Sequence, residues 1–253
     1  MTSAQEPNAP LVTYELNDGV AEIMLNRPER LNAVGIELRR DLISVMTRFI
    51  FDPLARVGIL SGVGRAFCAG RDLKEEGSKG SNSGDNPYGY PEILNRQLLL
   101  NTDKFLIAAV QGFAIGQGFY YVLGCDYRIA TTDAIFSMPE IETGAVGPFD
   151  MGIYENIPWA IAVEIALMGR KLGAPRLCQV GILNEVVDPG LHLERARAVA
   201  AEVIALPDEL VRATKRLMVD ARPGLSADHY ERAAAIRKDL RSHPSRQAAV
   251  RGQ

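Results

Sequence analysis

The period of apolar and polar positions changes several times along the chain, and each change marks an element. Val12 to Leu16 and Val20 to Asn26 alternate on either side of Asn17-Asp18-Gly19, which predicts a hairpin. Asn26-Arg27-Pro28-Glu29 reads as a turn. From Ile36 to Phe51 the apolar residues recur at Leu38, Leu42, Val45, Met46 and Phe49, the spacing of one helix face. Val57 to Leu60 predicts a short buried strand ending in Ser61-Gly62-Val63-Gly64. Glu75 to Pro91 is rich in Gly, Ser and Asn and predicts a long loop of the kind that often acts as a lid. A helix near Glu92 to Lys104 and a strand near Phe105 to Gln111 follow. A glycine turn then leads into a short helix through Leu123, with strands expected near Asp126 to Ala130 and Ile135 to Met138.

Beyond Gly152 the pattern becomes helical. Ile161 to Met168, Pro175 to Val180, Leu193 to Ala205, Glu209 to Ala221 and Ala227 to Leu240 all show helical spacing, and Leu183 to Val187 alone suggests a strand. Strands alternating with helices, then a helical carboxyl third, predict an α/β class of fold. The division expected is a core over residues 1–190 and a helical region over 191–253.

Bulk properties narrow the function. A chain of 253 residues fits one ordinary α/β domain, or one domain with a small appendage. With 28 basic and 31 acidic residues the formal net charge is −3, without the basic excess of a nucleic-acid binder. An anionic small molecule needs only a few local cations and stays open as a ligand. Cys68, Cys125 and Cys178 are odd in number and scattered, so neither a disulfide framework nor a metal site is expected. Met1 to Pro10 is polar, and no run reaches the ~18 apolar residues of a membrane span; a cytoplasmic protein is expected.

Two segments hold the candidate chemistry. Gly64-Arg65-Ala66-Phe67-Cys68-Ala69-Gly70-Arg71-Asp72-Leu73-Lys74 is the first, and Ala109-Val110-Gln111-Gly112-Phe113-Ala114-Ile115-Gly116-Gln117-Gly118-Phe119, running on to Gly124-Cys125-Asp126, is the second. Each sets glycines and small residues directly after an apolar strand, where a backbone approaches a ligand or another chain closely. One such cluster is explained by tight packing alone. Cys68 reads as a small buried thiol, because no histidine stands near it in sequence to activate it.

Both clusters together, followed by Phe136-Ser137-Met138-Pro139-Glu140, resemble the crotonase superfamily, the enoyl-CoA hydratase/isomerase family. The resemblance runs from Asn26-Arg27-Pro28 through Leu183-Asn184-Glu185-Val186-Val187. It implies a crotonase-like spiral of strand-strand-helix turns, an acyl-CoA thioester substrate, no cofactor beyond the coenzyme A of that substrate, and assembly as a trimer or pair of trimers. It also implies two backbone N–H groups aimed at the thioester oxygen, here those of Arg71 and Gln117, with Gln117 at a position where glycine is usual. Gln117 would begin a helix whose amino end favours a developing negative charge. By the same resemblance Glu140 transfers the proton, and Arg65, Ala69, Arg71, Asp72, Leu73 and Lys74 line the coenzyme A path.

The chain departs from the family's hydratases at one place. They carry a second glutamate where this sequence has Tyr120, and a phenol with a pKa near ~10 is a poor replacement for a carboxylate. Asp150, in Gly147-Pro148-Phe149-Asp150, is a second candidate acid, although a turn aspartate is its ordinary reading. One carboxylate that removes and returns a proton suits a double-bond isomerase. Hydration through Glu140 with Asp150 or Tyr120, and acyl-CoA binding without chemistry, are the alternatives.

Overall fold

The computed structural model describes residues 10–72, 74–75, 102–144 and 157–221, with Arg232, Ala235, Ile236, Asp239, Leu240, His243 and Pro244 beyond them. The predicted hairpin forms as β1 (Val12–Asn17) and β2 (Val20–Leu25), paired antiparallel around Asp18 and Gly19, both at positive φ. β2 then starts a parallel run: β3 (Val57–Gly62), β4 (Phe105–Val110), β6 (Tyr127–Thr131) and β9 (Glu185–Val187) follow it in one six-stranded sheet. A second sheet holds β5 (Phe113–Ile115), β7 (Ile135–Ser137) and β8 (Leu172–Gly173). Strands β4 and β5, then β6 and β7, thus pass successively from the first sheet to the second.

Sequence periodicity predicted one strand from Phe105 to Gln111 and none at Phe113. The chain instead turns at Gln111-Gly112 and pairs Phe113 to Ile115 with Ile135 to Ser137 in the other sheet. Three residues are too few for a period to register.

Alternation within the central strands explains their burial on both faces. Leu106, Ala108 and Val110 of β4 join the main core, while Ile107 and Ala109 point to the opposite side with Val57, Ile59 and Ile129. That second side is covered by α5 (His192–Ile204) through Ala196, Val199 and Ala200. Helix α1 (Ile36–Phe51) lays Leu38, Leu42, Met46 and Phe49 on the main core and stops at Asp52, before Pro53. Its last carbonyls are capped by a buried lysine: Lys104 Nζ donates to the Phe49 and Asp52 carbonyls at 2.6 Å each.

Further helices among the described residues are α2 (Gln117–Leu123), α3 (Trp159–Ala162), α4 (Ala174–Gln179) and α6 (Asp208–Asp220). The expected helix from Ile161 to Met168 is α3 continued by a π-helical turn, Val163–Leu167. Thr102, Asp103 and Lys104 are not helical, and the rest of the helix expected near Glu92 to Lys104 lies outside the described residues, as does the loop from residue 76 to 91. Helix α6 is fastened by an ion pair and a hydrogen bond: Lys215 Nζ donates to Asp126 Oδ2 at 2.6 Å and to the Lys104 carbonyl at 2.7 Å.

Candidate active site

Strand β5 ends at Ile115, and the chain enters α2 through one residue, Gly116, at φ +48°. A side chain disfavours that left-handed conformation; glycine adopts it freely. The Gly116 N–H donates to the Ser137 carbonyl at 2.8 Å, and its own carbonyl accepts the Tyr120 N–H at 3.1 Å, opening the helix. At Gly118 a Cβ would stand 2.4 Å from the Cys68 carbonyl oxygen. The missing side chain therefore lets α2 rest directly on the Cys68 backbone. Phe119 and Phe136 pack with ring centroids 5.1 Å apart and tie α2 to β7.

The first glycine segment runs alongside. Cys68 N–H donates to the Phe113 carbonyl and Ile115 N–H to the Cys68 carbonyl, both at 2.9 Å. Two residues on, the Gly70 carbonyl accepts from Val34 N–H at 2.7 Å. The peptide is trans, so the Arg71 N–H on the same peptide unit points away from Val34. A Cβ on Gly70 would lie 3.8 Å from the Gln117 backbone nitrogen. Segments that are 46 positions apart in sequence, 117 − 71, are thus brought side by side at their backbone amides.

Glu140 arrives from the third segment. It follows β7 in a turn closed by Thr143, whose N–H bonds the Pro139 carbonyl and whose hydroxyl bonds the Glu140 carbonyl, each at 3.0 Å. Its carboxylate oxygen Oε1 accepts the Tyr120 hydroxyl at 3.1 Å. The same oxygen lies 3.4 Å from the point a Gly116 Cβ would occupy. Arg71, Gln117, Tyr120 and Glu140 therefore meet around the Gly116 turn.

The other expected positions divide. Arg65, Arg71 and Lys74 have exposed side chains on the same stretch, and Ala69 is half-buried. The Asp72 carboxylate turns inward to Arg27 Nη1 at 3.0 Å and is committed within the fold. Leu73 and Asp150 lie outside the described residues. Burial pushes the Cys68 thiol up to about 12, and its Sγ donates to the Asn32 carbonyl, so it is a neutral structural thiol at physiological pH.

Three supporting residues escaped the sequence reading. Asn32 is fully buried at φ +55°; its Nδ2 donates to the Val63, Ala66 and Phe67 carbonyls, and its Oδ1 accepts the Arg27 N–H. It pins the Gly64 turn to the loop before α1. Arg27 bonds both Asp72 and the Ala33 carbonyl, fixing the far side of that loop. Arg39, buried on α1, donates from Nη2 to Gln117 Oε1 at 2.9 Å, and Gln117 Nε2 donates to Tyr121 Oη at 2.9 Å. The available signal for Arg39 was a charge next to Leu38 on the apolar face of α1.

Residues 15–252 match the enoyl-CoA hydratase/isomerase family. This chain belongs to that family. As an enoyl-CoA hydratase/isomerase family member, and so a crotonase-superfamily protein, it is an acyl-CoA-processing enzyme. It is 32% identical over 214 residues to the (E)-benzylidenesuccinyl-CoA hydratase of Thauera aromatica, covering 82% of each chain. Identity is also 32% with the carnitinyl-CoA dehydratase of Escherichia coli K12, over 81% of each. A solved carnitinyl-CoA dehydratase from Mycobacterium avium 104 superposes with a TM-score of 0.82 over 96% of both chains at 28% identity. The two sheets and their connecting helices are accordingly the crotonase fold of this family member.

Proposed function

We propose that this enzyme seats the thioester carbonyl oxygen of an acyl-CoA at the Arg71 and Gln117 amides and moves a proton on the acyl chain through Glu140. The observation that carries the reading is the Glu140 carboxylate oxygen lying 3.4 Å from the point a Gly116 Cβ would occupy, at the turn that opens the helix beginning at Gln117. Removing the α proton of a thioester puts charge on its oxygen. Preorganised N–H donors stabilise that charge, and losing one such donor typically costs about 10²–10³ in rate. A carboxylate within reach of the α carbon supplies the base, and the conjugate acid can return the proton at a second carbon.

With Tyr120 in place of a second carboxylate, the reaction we favour is a double-bond isomerisation using Glu140 alone. Coenzyme A would follow the stretch around Gly70, with Arg65 and Lys74 toward its phosphates and Ala69, Arg71, Asp72 and Leu73 along the path. A cytoplasmic site of action accords with such a substrate. One observation favours a second reading. The Tyr120 hydroxyl is hydrogen-bonded to Glu140, and the named relatives are a hydratase and a dehydratase, so a phenol–carboxylate pair would carry out hydration or elimination of water.

The test compares wild type, Glu140→Gln and Tyr120→Phe on 2-enoyl-, 3-enoyl- and 3-hydroxyacyl-CoA thioesters, with α-deuteration of a saturated acyl-CoA in heavy water beside it. Glu140→Gln is expected to lose both turnover and exchange; retained turnover would remove Glu140 from the mechanism. Tyr120→Phe is expected to keep isomerisation within about tenfold, whereas a loss of hydration by about 10² or more selects the second reading. Wild-type binding without exchange or turnover would mark a non-catalytic acyl-CoA binder. For assembly we propose a trimer or pair of trimers: Leu206, Leu210, Leu217 and Met218 are all more than half exposed on and beside α6, an apolar surface suited to a subunit contact. A monomer in light scattering at micromolar concentration would count against it.

A further inference from the structure

We infer that Arg39, Gln117 and Tyr121 form a brace that positions the Gln117 backbone amide, so that the side chain of this residue sets the aim of its own N–H. The inference rests on the proposed role of that amide and adds two residues to it. Gln117 is the first residue of α2, where the backbone has just left the left-handed Gly116. A residue at that point is held on its amino side only through Gly116, whose N–H is fixed to Ser137. The Gln117 side chain adds a second anchor on each flank. Its Oε1 accepts from Arg39 Nη2 on α1, and its Nε2 donates to Tyr121 Oη one turn along α2, both at 2.9 Å.

The two bonds reinforce each other. A guanidinium donating to the amide oxygen polarises the amide and makes its N–H₂ a better donor to the phenol. The Gln117 carboxamide is thereby held in one rotamer, and with it the Cα to which the catalytic N–H is attached. Arg39 is 8% exposed in a helix face otherwise lined by Leu38, Leu42, Met46 and Phe49. Burying a cation there carries a desolvation cost that a leucine would avoid, and the bond to Gln117 offsets part of it. Both bonds run from the side chain, so the brace is separable from the amide it positions.

Gln117→Ala keeps the N–H and removes both bonds; Arg39→Met and Tyr121→Phe remove one each. The readout is the absorption band of a bound cinnamoyl-CoA-type chromophore, which shifts to the red as its thioester carbonyl is polarised, measured beside kcat and KM. In each variant we expect a smaller red shift and a kcat lowered by about tenfold, short of the 10²–10³ of a lost donor, with KM within twofold. Arg39→Met combined with Gln117→Ala is expected to be no worse than Gln117→Ala alone, because the residues act as one unit. Unchanged red shift and kcat in Gln117→Ala and Tyr121→Phe, with any effect confined to thermal stability, would overturn the brace. A wild type that gives no red shift at all would instead overturn the oxyanion role of the amides. Should Arg39→Met not fold, the other two variants decide the matter.

Discussion

The contact at Gly118 gives a perturbation whose effects on folding and on rate separate. A Cβ there would stand 2.4 Å from the Cys68 carbonyl oxygen, 2.7 Å from the Cys68 Cβ and 3.1 Å from its carbonyl carbon. Unbonded carbons sit at about 3.5–4.0 Å, so Gly118→Ala demands a retreat on the order of 1 Å. Cys68 is held by backbone bonds to Phe113 and Ile115 and by its thiol on Asn32, so α2 is the part that moves. Overpacking of this kind costs about 1–3 kcal/mol. Alanine recovers about 1 kcal/mol over glycine inside a helix, which leaves a net loss of about 0–2 kcal/mol. A reacting group misplaced by about 1 Å can cost about 10²-fold in rate, equivalent to about 2.7 kcal/mol of barrier. The variant is therefore expected to fold, to bind acyl-CoA, and to turn over about a hundredfold more slowly. Urea unfolding and steady-state kinetics on the best wild-type substrate read the two effects independently. Turnover within threefold of wild type at unchanged stability would refute the claim that the α2 seat on Cys68 sets the catalytic geometry.

Other outcomes follow from groups away from the Gly116 turn. Lys215→Met should lower stability by about 1–3 kcal/mol, because the half-buried Asp126 carboxylate loses the cation it bonds at 2.6 Å while keeping the Leu106 N–H; Asp126→Asn in the same chain should recover part of the loss in denaturant melts. Burial pushes the Cys68 and Cys125 thiols up to about 12 while Cys178 is half-buried, so brief alkylation of the native protein near neutral pH should add one group by intact mass, and alkylation after unfolding three. Burial lowers the His192 pKa below its ordinary 6.5. The unfolded chain then takes up a proton first as pH falls, so stability is full above about pH 6.5 and is lost as the pH drops through it. His192→Leu should flatten that decline in urea melts at about pH 7.5 and pH 5.5, and an unaltered slope would assign the decline to other groups.

Long apolar periods were legible in the sequence, and short or strained features were not. Helix α1 spans its predicted Ile36 to Phe51 because four turns of regular burial leave little choice of register. The β1–β2 hairpin was equally plain from Asn17-Asp18-Gly19. Of the second sheet, β7 was expected near Ile135 to Met138, whereas β5 and β8 stayed hidden because they are two or three residues long and pair with segments far away in sequence. Glu140 and the two glycine segments stood out by motif, yet no spacing rule tells that Tyr120 bonds Glu140 or that Gln117 bonds Arg39. Those contacts depend on α2 crossing between β7 and α1, which is a tertiary fact.

The substitutions at Gln117 and Tyr120 are best understood together. Residues three and four apart share a helix face, so Gln117, Tyr120 and Tyr121 line the same side of α2. Tyr120 and Tyr121 fan out on either side of Gln117, one reaching Glu140 and the other returning to Gln117 itself. A glycine at 117 and a carboxylate at 120 would leave this face bare at one end and charged at the other. Here the end beside the amide is filled and bonded to a buried cation, and the end beside Glu140 offers a neutral donor. A neutral donor adds no like charge beside the Glu140 carboxylate, which instead accepts the Tyr120 hydroxyl. The polar work of the face is then divided under the proposed function: α1 and the Gln117 carboxamide hold the amide end, and Glu140 is the group proposed to move the proton. On this arrangement, placing a carboxylate at 120 changes the chemistry of Glu140 while leaving the Arg39–Gln117–Tyr121 bonds intact, so Tyr120→Glu should alter the balance of hydration and isomerisation without diminishing carbonyl polarisation.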